Sequence, residues 1–540
     1  MSPDSADRDF SFGSSSPLDP TRPGGSPLDP TRPGGSWWMY RRSEPWSDPR
    51  APDIAAGLPD GGDPGSGAGG APPGRDAPRP VAHSDSPGVM AAGLAVVGVI
   101  VLVLSVRYFP SARLSRVLVP VTGLCATIAV AARLQRRHPD EPWLGRWLVI
   151  AVIVKEIASI LRFKTFENGG DATIYDKFGK RFLDVWLHHA GAVAPELDNV
   201  RKSNFLRWFT GFVYYLFGRD LIAGFVVYAL MAFVGSYLWY RAAAEALPFL
   251  DRRLYFLLVF FAPSIAFWPS SVGKEALMQL GIGSAALGTA HLLKGRLVRG
   301  LAVAAPGAWL MWVVRPHLLA LVTLGAAGAF LVGRSPRRAK SAVAQSSLVK
   351  PIGLIVVGVL AVFAVSQGAK SLGLPSLTLG SVQAELDATT VSTGQGSSSF
   401  NNGGNSLSPL HLPQGAVTVL LRPFPWEVDS PLQIIASLEG MALAAFIVYR
   451  RKSVALSLRR MRSSPFLFYC WTVTLLYAIT FQAFANFGLL VRERSLVLPA
   501  MYVLLCLDHT RADHDGDTVE RGTHASSSAV SASGAGRVVV

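Results

Sequence analysis

The chain has 540 residues, of which half are hydrophobic and only 16% charged, with a formal net charge of +15 at pH 7. So apolar a composition excludes an ordinary soluble globular protein. The basic balance calls for no nucleic acid partner either, because arginine clusters between spans are what orientation in a membrane requires.

Residues 1–87 are rich in Pro, Gly, Ser and Asp and contain a tandem copy, 16–25 and 26–35, each reading SPLDPTRPGG. Such a segment buries too little apolar surface to offset the entropy of ordering, so a disordered cytoplasmic tail is expected. Its one sticky patch, Trp37-Trp38-Met39-Tyr40-Arg41-Arg42, suits a membrane surface. No cleavable signal peptide is expected, since the first apolar block begins near Gly88, after that polar stretch.

From there the apolar residues come in blocks long enough to cross a bilayer as helices. They fall near 88–106, 114–132, 147–162, 219–240, 254–268, 273–293, 299–314, 317–333, 351–368, 431–449, 464–484 and 494–507. The expected fold is all-α: a polytopic transmembrane bundle of about 12 spans over residues 88–507, with 508–540 a second disordered tail. Arg315-Pro316 separates two of these blocks. Proline breaks the hydrogen-bond ladder and an arginine at mid-membrane is costly, so two helices meeting at a surface are expected there. The strongest basic connectors are Arg133 to Arg137, Arg241 to Arg253, Lys294 to Arg299, Arg334 to Lys340 and Arg450 to Arg462. With both termini inside, all of these are cytoplasmic; Arg107, Arg113 and Arg116 are the exception. The opposite, extracytoplasmic side then holds the 163–218 loop, the 268–275 tip, Arg315 and His317, the 370–430 loop and Arg492-Glu493-Arg494.

The chemistry-bearing residues lie on that one side. In the first long outer loop Gly169-Gly170 supplies a turn and Asp171 opens a helix. Asp171 reads either as a plain N-cap or as a general base that removes a proton from an acceptor hydroxyl. The Phe178, Phe182, Leu183 and Trp186 pattern against Lys177, Lys180, Arg181 and Asp184 suggests an amphipathic helix lying in the interface. In Phe267-Trp268-Pro269-Ser270-Ser271-Val272-Gly273-Lys274-Glu275, Pro269 ends one apolar run and Ser270 or Ser271 is placed to cap the next. Lys274 then sits in a first turn, where free N–H groups and a cation make an anion site. A Walker A loop is excluded, because Trp268 stands at its first glycine and Glu275 at its Ser/Thr. Arg315 and His317 form the second tip. If Lys274, Arg315, Arg492 and Arg494 converge, they make a pyrophosphate-sized basic pocket. The 370–430 loop reads as a mobile first half and an interfacial second half that lines a substrate groove or closes over it. Glu439 is an intramembrane acid, functional or one member of a buried pair. Gly281, Gly283 and Gly288 read as close helix packing. The cysteines, Cys125, Cys470 and Cys506, show neither metal nor disulfide spacing. No metal or other cofactor is called for, and a divalent cation stays an open question.

On Gly-Gly-Asp171-Ala-Thr-Ile-Tyr, the Phe-Trp-Pro-Ser-Ser-Val-Gly-Lys-Glu tip and Arg492-Glu493-Arg494-Ser495, residues 140–507 resemble the GT-C-type polytopic glycosyltransferases of bacterial envelopes. The acidic loop follows the third span here rather than the first, and no second acid adjoins Asp171. The resemblance implies transfer of a sugar from a polyprenyl-phosphate carrier, on the outer membrane face, to a glycan, lipid or protein acceptor. Asp171, with Glu275 as runner-up, would be catalytic; Lys274, Arg315, His317, Arg492 and Arg494 would hold the carrier phosphate. The partners expected are that lipid-linked sugar and membrane lipid, with no nucleic acid. Repeat-unit polymerases of surface polysaccharides look similar. The rival from another class is a lipid-linked sugar transporter or flippase, which would show mid-membrane charges and repeated spans.

Overall fold

The computed structural model describes residues 112–166, 170–195, 199–332, 349–371, 378–394, 398–400 and 411–509. The tandem repeat, the Trp37 patch, the 88–106 block, the 334–348 connector and residues 510–540 lie outside them. Among the described residues there is no β-strand, only isolated bridges pairing Leu250 with Leu507 and Ser399 with Asn486. The helices, in order, are α1 (Ala112–Arg137), α2 (Leu144–Phe166), α3 (Asp171–Trp186), α4 (Ser203–Phe217), α5 (Leu221–Ala246), α6 (Arg252–Phe261), α7 (Pro263–Phe267), α8 (Lys274–Leu293) and α9 (Leu297–Val314). They continue with α10 (Pro316–Val332), α11 (Val349–Ser371), α12 (Leu379–Thr393), α13 (Leu412–Leu421), α14 (Pro431–Tyr449), α15 (Arg451–Arg460), α16 (Pro465–Phe481) and α17 (Phe487–Leu505).

The centre of the bundle is α8, held between α5 and α9 by glycines. A Cβ on Gly235 would lie 2.4 Å from the Gln279 carbonyl oxygen, and one on Gly283 2.2 Å from that of Gly235. On the other side, a Cβ on Gly307 would meet the Gly281 carbonyl oxygen at 2.3 Å. Only hydrogen side chains let these backbones touch, the small-residue packing that membrane helices use in place of a hydrophobic driving force. The contacts also fix direction. Gly224 of α5 is near Val272 and Glu245 near His291, so α5 and α8 run in parallel, whereas Gly288 faces Gly300 and α9 returns.

This threading sorts the charged residues to two ends. One end holds Asp171, Trp268 to Glu275, Arg315, Arg422, Arg492 and an Arg116–Asp220 pair at 2.7 Å. The pairing neutralises Arg116, one of the arginines that broke the charge rule. At the opposite end Arg252 pairs with Glu141 at 2.6 Å, and Glu245 gathers Arg241, His291 and Arg296. Arg450 donates there to the carbonyls of Leu505 and Leu507.

Several helices turn apolar residues outward: Ile153, Ile157 and Leu161 on α2, and Ile435, Leu438 and Val448 on α14. Apolar faces turned outward, around an interior that also buries charged pairs, are consistent with a polytopic membrane protein. The expected span count is corrected. Among the described residues five helices, α1, α5, α8, α9 and α14, are long and apolar enough to cross a membrane, or six if α15 and α16, bent by 115°, form one span. The 254–268 block is broken, because Pro263 starts a new helix and leaves α6 and α7 short of a crossing. Buried Lys155 of α2 caps the far, C-terminal end of α7, donating to the carbonyls of Ile265 at 2.6 Å and Ala266 at 3.3 Å. The last block is part of α17, which carries Arg492, Glu493 and Arg494 within it.

Candidate functional site

The two hairpin tips do meet. α8 begins at Lys274, and its N-cap is Gly273 in an extended conformation, with no side-chain cap. The capping serines expected here do other work: Ser270 Oγ donates back to the Ala266 carbonyl at 2.6 Å. A Cβ on Gly273 would sit only 3.0 Å from Glu275 Oε2, so the glycine makes room for the Glu275 carboxylate to fold over the helix start. The anion at this N-terminus is therefore a residue of the chain.

Around Glu275 charges alternate across α8, the α9–α10 junction, α17 and α3. Its Oε1 accepts from Arg315 Nη2 at 2.8 Å and forms an ion pair with Arg492 Nε at 2.7 Å. Arg315, at the α9–α10 junction, reaches on through Nη1 to Glu493, and Tyr477 of α16 donates to the Glu493 carbonyl at 2.7 Å. Arg492 reaches the other way, through Nη2, to Asp171 Oδ2 at 3.2 Å. Glu275 and Glu493 are 1% and 4% exposed, whereas the Asp171 side chain is 51% exposed. The expected basic pocket is thus already matched by carboxylates, because buried arginines need partners that are themselves held. Glu275, enclosed by two guanidinium groups, is a positioner of arginines and is not open to a substrate proton. Lys274, half-buried beside them, has no hydrogen bond or ion pair among the described residues. His317 starts α10 with its ring 6.0 Å from that of Phe481, and Lys202 and Lys274 lie near it.

Asp171 is not an N-cap. Gly170 holds that position at φ 92°, where a side chain would be strained, and Asp171 is the first helical residue of α3. Nor is α3 laid bare on the interface: it buries Tyr175, Gly179, Phe182 and Leu183, and Gly179 abuts the backbone of Gly211 on α4. Within the α3–α4 hairpin Tyr214 donates to Asp176 at 2.6 Å, and the hairpin is tied to α9 by Lys202 N donating to the Val313 carbonyl at 2.7 Å. Burial, and after it the Asp171 charge, pushes the Tyr175 hydroxyl up to about 12.

Asp171 and Arg492 form the polar end of a cavity of about 490 Å³. Arg162 and Trp268 complete that end; the Arg162 guanidinium lies 4.6 Å from the indole centroid, a cation–π distance. The remaining wall is largely apolar, with Phe225, Val272, Leu432, Ala436, Phe487, Leu489 and Val491. Sequence reasoning missed Arg162 and read Trp268 only as part of the tip. The available signal was an arginine at the end of an apolar run with no neighbouring acid.

Arg494 lies elsewhere. It is fully buried and donates to the carbonyls of Leu420, Arg422 and Ala436 at 3.0, 3.2 and 3.3 Å, and to Glu439 at 3.3 Å. It is a structural clamp, and Glu439, which also accepts from Ser264, is its buried partner. Within the 370–430 loop, Ser398 and Ser430 line the cavity, and residues 398–400 strap onto the start of α17 through Phe487 N donating to the Ser398 carbonyl at 2.9 Å. Arg422 pairs with Glu427 and lies 4.1 Å over the Phe400 ring. Residues 401–410 fall outside the described residues. Among those described, no group of three or more His, Cys, Asp or Glu side chains is arranged to hold a metal ion. No protein family, curated protein or solved structure matches the chain.

Proposed function

We propose that the protein is an integral membrane glycosyltransferase that moves a sugar from a polyprenyl-phosphate carrier to an acceptor hydroxyl in the cavity beside Asp171. The observation that carries this reading is one half-exposed carboxylate at the charged end of a cavity whose other walls are largely apolar. An amphipathic donor fits such a shape, its phosphate towards Arg162 and Arg492 and its first isoprene units along Phe225, Leu432 and Leu489. Arginine suits that task because its planar fork meets two phosphate oxygens at once. In the step itself the acceptor oxygen forms a bond to the anomeric carbon while the bond from that carbon to the phosphate oxygen breaks. The polyprenyl phosphate leaves with the electron pair, stabilised by the arginines, and Asp171 takes the acceptor proton. The expected setting is the extracytoplasmic face of a cell membrane.

The test is transfer of label by the purified protein from a polyprenyl-phosphate sugar to an acceptor. Asp171→Asn keeps the size and the start of α3, so membrane levels are expected to stay near normal while turnover falls about a hundred-fold or more. Absence of any transfer by the wild-type protein across donor sugars, or full activity of Asp171→Asn, overturns the reading.

A further inference from the structure

We infer that Asp171 is a built-in stand-in for the ligand's phosphate on Arg492, displaced when an alkyl phosphate enters the cavity. This rests on the proposed site and adds the order in which its charges exchange partners.

The two carboxylates on Arg492 are held very differently. Glu275 is enclosed, meets Arg492 Nε at 2.7 Å and is anchored from behind by Arg315. Asp171 is half exposed, meets Arg492 Nη2 at 3.2 Å, and sits at the first position of α3, next to a glycine at φ 92°. One carboxylate therefore fixes the guanidinium and the other is easily exchanged for a second anion. That exchangeable edge lines the cavity, as does Arg162, whose guanidinium is stacked on Trp268. A phosphate placed between Arg162 and Arg492 takes over the Asp171 hydrogen bond, and phosphate is the stronger claimant because it offers more acceptor oxygens to the same fork. Asp171 Oδ2 is then released on the side where an acceptor hydroxyl would approach. With the cavity empty, Asp171 gives Arg492 Nη2 a partner while Glu275 holds the Nε side.

An internal competitor lowers apparent affinity by the fraction of time it occupies the site, so a site about nine-tenths closed binds about ten-fold more weakly than an open one. The experiment measures binding of dodecyl phosphate, which carries no sugar, to full-length protein in nanodiscs by calorimetry. Asp171→Asn and Asp171→Ala are expected to bind it about ten-fold more tightly than wild type. Asp184→Asn, an acid on α3 paired with Arg219 away from the cavity, is the control for general charge and is expected to match wild type. Equal or weaker binding by both Asp171 variants overturns the inference; so does equal tightening by Asp184→Asn, and so does absence of binding in every protein. Loss of sugar transfer alone would remove the proposed function while leaving this binding result standing, so the two failures are distinguishable.

Discussion

Arg315 is the residue whose role changes most between sequence and structure. Read alone it is a cation waiting for a phosphate; in the fold it joins Glu275 to Glu493, with its side chain only 11% exposed. Removing one member of such a buried network strands the others, at a cost of about 3–5 kcal/mol. Arg315→Gln is therefore expected to lower the thermal midpoint of the detergent-solubilised protein sharply. Arg315→Gln with Glu493→Gln is expected to recover much of that loss, since one of the two stranded charges is gone. Equal midpoints for the single and double variants would show that the two side chains are not coupled. Arg492 and Arg494 offer a lesson at the same scale. Residues two positions apart on a helix point about 200° apart, so one faces the cavity and the other the α13–α14 side. That separation was legible in the sequence. The pairing of Arg492 with an acid 321 positions away was not, because nothing local encodes a contact at that range.

At the scale of elements, the site depends on how closely α5, α8 and α9 approach. Gly281, Gly283 and Gly288 were readable as packing positions, since small residues in apolar helices mark close contacts. Their partners, Gly235, Gly300 and Gly307, emerge only when the helices are set side by side. A methyl group at Gly283 would stand 2.2 Å from a backbone oxygen that cannot rotate away, so the helices must separate. Overpacking of this kind costs about 1–3 kcal/mol or more. Gly283→Ala is expected to reduce the yield of monodisperse protein. Gly358→Ala, where a Cβ meets nothing within 4 Å, is expected to leave it unchanged. Equal yields for the two variants would argue against the close approach of α5 and α8. The break at Pro263 was foreshadowed by the proline, but the lysine from α2 that caps the C-terminal end of the short helix after it was not.

For the whole molecule, charged residues sort to two ends, and the orientation expected from the basic connectors turns that sorting into a prediction. The end bearing Glu245, Arg252, Arg296 and Arg450 to Arg462 is basic and would face the cytoplasm by the rule for positive connectors. Cysteines introduced at Val193, 80% exposed near the site end, and at exposed Ser463 test this in a background lacking the three native cysteines. An impermeant thiol reagent on intact cells is expected to label the first and spare the second; the reverse pattern, or equal labelling, would overturn the orientation. The helical class was legible from composition. The number of crossings was not, because apolar runs of similar length become crossings, broken pairs or charged internal helices according to where prolines and arginines meet partners.

The glycine contacts along α8 also set where motion is available. A helix that touches its neighbours through backbone atoms has few side-chain rotamers to exchange at the contact, so α5, α8 and α9 form the stiff frame. Glu275 is mounted on that frame; Asp171 is mounted on the α3–α4 hairpin, a separate pair of helices that meets the frame through Lys202 N on the Val313 carbonyl, Thr210 beside Tyr228 and Phe205 against Trp309. A change of distance between the two carboxylates on Arg492 is therefore expected to come from the hairpin, which is bounded by Gly170 and Gly218, both at positive φ, rather than from sliding of the central helices.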